Sequence, residues 1–191
     1  MTAIVGPDGL RRCRWALSAP EYVGYHDNEW GRAVYGDDAV FERLVLEAFQ
    51  SGLSFITILR KREAFRAAFA GFSIETVAQF TEADAARLMS DAGIVRNRAK
   101  IAASMANARA AMAVPEGLSA LVWSFAPTRR RAAPKVDADI PAVSPESTAM
   151  AKELKRRGFA FVGPTTAYAH MQATGMVNDH LATCHARKLC P

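Results

Sequence analysis

Apolar residues recur at three- and four-residue spacing along most of the chain. The two clearest stripes are Val40, Phe41, Leu44, Val45 and Ala48, and then Phe55, Ile58, Leu59 and Phe65. This spacing places apolar side chains on one face of an α-helix. No segment shows the two-residue alternation of a half-buried strand, so the sequence predicts an all-α fold.

Capping residues and helix breakers mark where these helices begin and end. Predicted starts lie at Ser18 with Glu21 as a capping box, and at Gly36, Ser54, Ser73, Thr81, Asn97 and Ser147. Gly93 and Gly158 each end a helix. Val177, Asn178 and Asp179 are predicted to begin a last helix, which would carry His180 and Cys184 one turn apart.

The chain has 191 residues, and half of them are apolar, which suits one domain or two small lobes sharing a core. We expect residues 1–12 to form a loose leader, residues 13–187 a single domain and residues 188–191 a tail. Proline, arginine and alanine dominate residues 126–145, which predicts an irregular connection.

Basic residues outnumber acidic ones and occur in clusters. The net charge is +5, and the clusters are Arg60–Arg62, Arg96 to Lys100, Arg129–Arg131 and Lys155–Arg157. Such clusters indicate a polyanionic partner, nucleic acid first, although they are also typical of solvated helix faces.

No signal-peptide pattern and no apolar run of membrane-spanning length is present, so we expect a cytoplasmic protein with no membrane partner. The three cysteines, Cys13, Cys184 and Cys190, are too few for a disulfide framework. Nothing in the sequence indicates an assembly larger than a monomer.

Two cysteines and two histidines form the strongest candidate for chemistry. Cys13 and His26 lie near one end of the chain, and His180 and Cys184 near the other. This set matches a closed tetrahedral Zn²⁺ site, in which no position is left for water, so the zinc would be structural. His185 and Cys190 are alternative ligands, and a Cys184–Cys190 pair is a further alternative.

A helix-turn-helix is predicted between Leu88 and Ile101, around a tight turn at Gly93. The backbone N–H groups after this turn, together with Arg96, Arg98 and Lys100, would bind DNA phosphates without reading sequence. The alternative is that Gly93 merely stops a helix.

Five motifs together resemble one family. They are Tyr25–Gly31 (YHDNEWG), the Gly52–Phe55 segment (GLSF), Asp91–Arg96 (DAGIVR), Arg157–Gly163 (RGFAFVG) and the Met171–His180 segment ending in VNDH. The chain resembles the DNA-3-methyladenine glycosylase I family of the helix-hairpin-helix DNA glycosylase superfamily. The resemblance covers roughly Arg12 to Cys184.

The resemblance implies a base-excision repair enzyme that flips an alkylated adenine into a pocket between two lobes. It places the zinc ligands on Cys13, His26, His180 and Cys184, the base-reading glutamate on Glu47, the pocket aromatics on Trp15, Tyr22 and Tyr25, and a wedge that fills the duplex on Gly52 and Leu53. Phe55 stands where the family has a stacking tryptophan. The aromatics are otherwise explained as core, and Leu53 as a hydrophobic staple.

A 3-methyladenine base in DNA is cationic and weakly bound, which suits an acidic pocket wall at Glu47. The superfamily's catalytic aspartate has no counterpart, because no Asp occurs between Asp91 and Asp137. We therefore assign no dedicated general base. No lysine stands out as a Schiff-base nucleophile, so the implied enzyme is monofunctional. Two rival classes are a non-catalytic zinc-stabilised DNA-binding module and a zinc hydrolase.

Overall fold

The computed structural model describes residues 2–190, and within them the chain is mostly helical. The helices are α1 (Pro20–Asn28), α2 (Asp37–Gln50), α3 (Phe55–Ala68), α4 (Ile74–Ala78), α5 (Glu82–Ser90), α6 (Arg98–Met112), α7 (Leu118–Trp123), α8 (Pro145–Arg156) and α9 (Pro164–Ala173). The all-α prediction is confirmed apart from one short hairpin. No described helix has the length and apolar character needed to cross a membrane.

Residues 4–12 form a hairpin, which differs from the expectation of a loose leader over residues 1–12. Strand β1 (Ile4–Val5) pairs antiparallel with β2 (Arg11–Arg12). The Arg12 side chain is buried and bonds to Asp8 at 2.7 Å, within the hairpin, and to Asp27 of α1 at 2.7 Å. These two-residue strands are too short to show alternation, so the sequence pattern does not reveal them.

Helix α2 lies at the centre of the fold and contacts α3, α6, α7 and α9. Its residues from Val40 to Phe49 supply much of one large apolar core, which extends to Val177 near the far end of the chain. A separate small cluster joins Ala3 and Cys13 to Leu181 and Ala186. The two ends of the chain therefore meet beside the main core.

Most predicted helix starts are confirmed, with two corrections. The side chains of Ser73 and Asn97 accept bonds from the backbone of Thr76 and Lys100, respectively, as capping predicts. Ser18 does not cap α1, because its Oγ donates to the Trp15 carbonyl at 2.6 Å. Helix α8 begins at Pro145 after Ser144, and not at Ser147.

The predicted last helix is wrong. The chain from Val177 to Cys184 has no helical structure, and a 3-10 helix follows at His185–Leu189. Arg187 holds the irregular segment by donating to the carbonyls of Asn178 at 2.9 Å and His180 at 2.6 Å. His180 and Cys184 thus meet through a loop that side chains stabilise, and not through helical spacing.

Candidate active site

A cavity of about 490 Å³, called here the base cavity, lies beside α1 and α2 and is closed by α9 and the loop after α7. Its wall consists of Trp15, Ser18, Tyr22, Tyr25, Trp30, Glu47, Gln50, Phe55, Asp137, Ile140, Ala169 and Gln172. This size suits a small aromatic ligand. The wall contains every pocket residue that the sequence predicted.

Glu47 lies on this wall and is only 6% exposed. It projects from α2, and Gln50, three residues further along the same helix, also lines the cavity. Burial raises the pKa of Glu47 to about 7, an effect that the nearby Arg43 guanidinium partly opposes. Arg43 itself bonds to Glu29 at 3.2 Å. The cavity therefore contains a buried carboxylate whose charge is costly without a cationic guest.

The predicted aromatic side chains form a continuous arrangement around the cavity. Trp15 meets Tyr22 edge to face, with ring centroids 5.3 Å apart, and meets Tyr25 at 6.3 Å. Tyr25 in turn lies 5.0 Å from Phe55. Burial raises the pKa of Tyr25, and the neighbouring Glu47 charge adds to the effect, so the phenol stays protonated.

Sequence reasoning missed several polar and aromatic wall residues. Gln50 was detectable, because it shares the helix face of Glu47. Asp137 was given no role, yet the loop after α7 brings it to the cavity wall. Gln172 comes from α9, and no local signal marks it. Trp30 was quoted within a motif but was given no role.

Cys13, His26, His180 and Cys184 come together in the interior, and all four are buried. His180 Nδ1 lies 3.2 Å from His26 Nε2, and Cys184 Sγ lies 3.4 Å from His26 Nε2 and 3.6 Å from His180 Nδ1. Cys13 Sγ is 3.9 Å from His180 Nδ1. We call this cluster the clasp, since it joins the two ends of the chain.

The spacing of the clasp fits a metal ion. Bonds of about 2.0–2.3 Å around a tetrahedral Zn²⁺ keep the donor atoms roughly 3.3–3.8 Å apart. The donor atoms of the clasp all lie within 4.8 Å of one another. A hydrogen bond from the Cys13 thiol and contacts with His180 and His26 lower the pKa of Cys184, whereas the same pairing and burial raise the pKa of Cys13.

Asp27 orients one clasp histidine from outside. Its carboxylate bonds to His26 Nδ1 at 2.7 Å, which directs Nε2 into the clasp. The same carboxylate bonds to His185 Nε2 at 3.0 Å and to Arg12. Burial raises the pKa of Asp27, but the hydrogen bonds from Arg12, His26 and His185 outweigh it and hold that pKa well below its usual range.

The alternative ligands take other positions. His185 groups with His26 and Asp27 on the outer side of the clasp. Cys190 is a free thiol whose Sγ lies 3.8 Å from the Trp30 carbonyl, so the Cys184–Cys190 pair is not formed.

The clasp and the base cavity share side chains. Trp30 lines the cavity, and its ring centroid lies 4.6 Å from that of His180. Trp15 also lines the cavity and lies 5.2 Å from the ring of His26. Any displacement of the clasp histidines would therefore move two walls of the cavity.

The predicted hairpin between α5 and α6 is present, and two of its four proposed phosphate contacts, Gly93 and Lys100, already bond within the chain. Gly93 donates its N–H to Asp91 Oδ1 at 2.7 Å, so this amide is already used. Lys100 is buried, and its Nζ donates to the carbonyls of Phe49 at 2.9 Å and Ser51 at 2.6 Å. Arg96 and Arg98 are exposed at the predicted surface.

Two lysines hold the hairpin against the site. Lys61 of α3 donates to the carbonyls of Ala92 and Gly93 at 2.8 and 3.0 Å, and Lys100 of α6 caps the end of α2. The Arg60–Arg62 cluster is likewise engaged within the chain, because Arg60 pairs with Glu21 and Arg62 with Glu29. The number of basic side chains that are free to bind DNA is therefore smaller than the net charge suggests, because several of them are paired within the protein.

Gly52 and Leu53 form an exposed turn between α2 and α3. Gly52 has a φ of +83°, a conformation that side chains disfavour. Leu53 is 41% exposed, so a large part of its side chain faces solvent. The turn therefore presents an apolar side chain directly after the helix that carries Glu47.

Comparison with known proteins agrees with this geometry. The family model for methyladenine glycosylase matches residues 15–188. DNA-3-methyladenine glycosylase 1 of Escherichia coli is 44% identical over 92% of this chain and 96% of its own length. The DNA-3-methyladenine glycosylase of Haemophilus influenzae is 40% identical over 91% of this chain and 96% of its own length.

A solved structure shares the fold. The structure that describes 3-methyladenine recognition by 3-methyladenine DNA glycosylase I of Staphylococcus aureus superposes with a TM-score of 0.87 at 34% identity, over 92% of this chain and 96% of that one. The chain belongs to the methyladenine glycosylase family.

Proposed function

We propose that this chain removes 3-methyladenine from alkylated DNA by hydrolysing its N-glycosidic bond. The curated relatives are glycosylases named for this base. The observation that carries the proposal is the position of Glu47, a buried carboxylate on the wall of an aromatic cavity. The residues of this chain can therefore perform what the family relationship indicates.

The Glu47 carboxylate favours a positively charged base over a neutral one. A carboxylate removed from water is costly unless a cation or hydrogen-bond donors compensate. A 3-methyladenine base still attached to deoxyribose carries a positive charge, and its amino edge offers hydrogen-bond donors. Neutral adenine lacks that charge and gains less from the same wall. Ionised Glu47 thus favours the damaged base and leaves ordinary adenine in the duplex.

The aromatic side chains hold the extruded base. Stacking on a ring is worth about 1–3 kcal/mol per base, which is comparable to the few kcal/mol spent on flipping it out. Tyr25 and Phe55 lie 5.0 Å apart on one side of the cavity, and Trp15 lies on another. Phe55 offers less stacking area than a tryptophan at the same position.

The chemistry depends on a leaving group that is already activated. When the bond between the base and C1′ breaks, its electron pair neutralises the charge on the base. Water adds to C1′ and loses its proton to solvent. Glu47 stabilises the cationic base before this step, and no side chain is assigned as a general base. We assign no lysine as a nucleophile, so the enzyme is monofunctional.

The clasp is proposed to hold one structural Zn²⁺ on Cys13, His26, His180 and Cys184. The donor set and its spacing support this assignment. All four positions of a tetrahedral ion are filled by protein, which leaves none for a reacting water. The ion would supply stability to both ends of the chain and keep Trp15 and Trp30 in place.

The DNA-binding surface is proposed to comprise Arg96 and Arg98 at the hairpin and the Gly52–Leu53 turn. The exposure of these residues supports the assignment. Leu53 would fill the gap left by the flipped nucleotide, and the arginines would bind phosphates. Action on double-stranded DNA as a monomer stays a prediction.

Replacing Glu47 by Gln tests the proposal, because it keeps the shape and removes the charge. Release of 3-methyladenine from methylated DNA should fall by about 100-fold, while affinity for the DNA stays unchanged. Glu63→Gln, at an exposed carboxylate on α3, is the matched control and should keep wild-type activity.

The two rival functions predict other results. A non-catalytic DNA-binding module would release no base, whether position 47 is Glu or Gln. A zinc hydrolase would lose activity at once on chelation while its fold persists. Equal base release by the wild type and Glu47→Gln would overturn the role assigned to this carboxylate.

A further inference from the structure

A second cavity, of about 550 Å³, lies between the end of α7, the loop that follows it and the last described residues. Its lining includes five cationic side chains, which are Arg129, Arg130, Arg131, Arg187 and Lys188. Asp179 is the one carboxylate among the lining residues. The proposed glycosylase function uses none of these cations.

Two of the five cations already bond within the protein. Arg187 donates to the carbonyls of Asn178 and His180. Arg131 donates to the Tyr168 hydroxyl at 3.1 Å and to the Asp139 carbonyl at 3.3 Å. These bonds fix the frame of the second cavity.

Asp179 does not neutralise the remaining cations. It is only 4% exposed, and its Oδ2 accepts bonds from the Tyr168 hydroxyl at 2.6 Å and from Gln172 Nε2 at 3.0 Å. The side chains of Arg129, Arg130 and Lys188 are exposed, and none of the three forms a hydrogen bond or an ion pair with residues 2–190. Three positive charges thus share one concave surface.

We propose that the second cavity is a binding site for a phosphate group, held by Arg129, Arg130 and Lys188. Guanidinium groups match phosphate oxygens in pairs, and a lysine adds a point charge. The volume lies in the range of small-ligand sites, roughly 300–1,000 Å³, so a phosphorylated molecule of nucleotide size fits. A phosphodiester of bound DNA carries the same chemistry.

The cavity is held open by contacts of its own loop. The Pro134 carbonyl accepts a 2.7 Å bond from Ala182 N, which fastens the loop to the segment after the clasp. Trp123 Nε1 donates to the Val34 carbonyl at 2.8 Å, which fixes the opposite edge. The backbone frame of the site is therefore fixed, and mainly the side chains of Arg129, Arg130 and Lys188 have to be ordered when the anion binds.

The second cavity and the base cavity share one wall. Gln172 lines the base cavity, and its amide bonds to Asp179, which lines the second cavity. The phosphate is therefore bound on the far side of this wall from the flipped base. It is a separate site, distant in sequence from the hairpin arginines.

Calorimetric titration of the metal-loaded protein with pyrophosphate tests the site without any methylated DNA, so its result does not depend on the proposed function. The wild type is expected to bind one pyrophosphate. The variant Arg129→Gln/Arg130→Gln/Lys188→Gln should bind it at least tenfold more weakly. The matched control, Lys152→Gln/Lys155→Gln/Arg156→Gln on α8, removes the same charge from an exposed surface and should bind as the wild type does.

A second measurement separates the two sources of phosphate. If DNA supplies it, the salt dependence of DNA affinity in the cavity variant should lose about 0.9 from its log–log slope per lost contact. An unchanged slope with weakened pyrophosphate binding assigns the site to a free phosphorylated molecule. The proposal is overturned if pyrophosphate binding and the DNA slope are both the same in the cavity variant and the wild type. It is also overturned if the α8 control weakens both equally.

Discussion

The sequence predicted both the clasp and the hairpin from residue type and spacing. Residue type indicated the contacts of the side chains well in the clasp and poorly in the hairpin. In the clasp, all four predicted side chains meet in the interior, although the helix expected to carry two of them is absent. In the hairpin, the predicted helices are present, yet Lys100 and the Gly93 amide bond within the protein.

The difference follows from the number of partners that each group accepts. Buried cysteine and histidine side chains clustered together have few uses other than metal binding. A lysine ammonium binds a phosphate or a helix-end carbonyl equally well, and the sequence does not distinguish them. A cationic cluster therefore predicts a charged surface only when nearby carbonyls and carboxylates are already satisfied.

The largest expected effect comes from breaking the clasp. Cys184→Ser, or removal of a bound metal by a chelator, should lower the melting temperature by more than about 10 °C, because the proposed structural metal site would be lost. Base release should fall in parallel, since Trp15 and Trp30 contact the clasp histidines. Calorimetry and a base-release assay measure the two effects.

Cys190→Ser is the control for this change, because the Cys190 thiol lies outside the clasp. Its melting temperature should stay within about 2 °C of the wild type, as for most substitutions away from a key contact. A similar drop in melting temperature for Cys184→Ser and Cys190→Ser would show that the clasp does not stabilise the protein more than the Cys190 thiol does.

Lys100 and Arg98, two positions apart on α6, sharpen the comparison within the hairpin. Lys100→Met should cost about 3 kcal/mol of stability, since it leaves the carbonyls of Phe49 and Ser51 without a donor. Arg98→Gln should change stability by less than about 0.5 kcal/mol but reduce the salt dependence of DNA binding. Urea unfolding and binding titrations at several salt concentrations measure both. The opposite pattern would restore Lys100 as a DNA contact.

Glu47 in the cavity wall and His170 in the core should make the free energy of unfolding depend on pH in opposite directions. Burial lowers the pKa of His170 from 6.5 to about 3, and neither of its ring nitrogens has a partner. Its stabilising contribution is full above pH 6.5 and is lost as the pH falls toward 3. Burial raises the pKa of Glu47 from 4.5 to about 7, so its contribution is full below pH 4.5 and is lost as the pH rises through 7.

Single variants separate these two opposing contributions. Relative to the wild type, His170→Phe should gain about 2 kcal/mol of stability on going from pH 7 to pH 5, and Glu47→Gln about 2 kcal/mol on going from pH 5 to pH 7. Urea unfolding across this range measures both differences. Parallel profiles for the variants and the wild type would show that neither group changes its protonation on folding.

Phe55→Trp should produce the smallest effect, on one wall of the base cavity. A larger ring adds stacking area beside Tyr25 and should strengthen binding of free 3-methyladenine by up to about 1 kcal/mol, or roughly fivefold. Fluorescence titration with the free base measures it. Weaker binding would mean that the cavity has no room for the larger ring.

Much of the fold was predictable where local signals and the final packing agree. Gly36 before Asp37, and the apolar residues from Val40 to Ala48, defined α2 and its buried face. The Val177–Asp179 start failed because Arg187, ten residues after Val177, holds that segment in a loop through bonds to Asn178 and His180. A hydrogen-bond donor that lies several residues away does not alter the local spacing of apolar residues, so the sequence pattern does not reveal it.

The site was predictable to a similar degree. Glu47 and the aromatics were placed correctly on the cavity wall through the family resemblance. Asp137 and Gln172 reach the same wall only because the loop after α7 and the turn of α9 converge there, and this convergence is set by tertiary packing.

The clasp also governs when the molecule becomes competent during synthesis. Cys13 and His180 are 167 residues apart in sequence, yet both belong to one cluster. A ribosome exposes the aromatic side chains around Cys13 long before it makes the partners that fix them. Until those late residues emerge, the first segment lacks its clasp partners and the base cavity lacks the wall residues that α9 supplies, however much of the helical core has already folded.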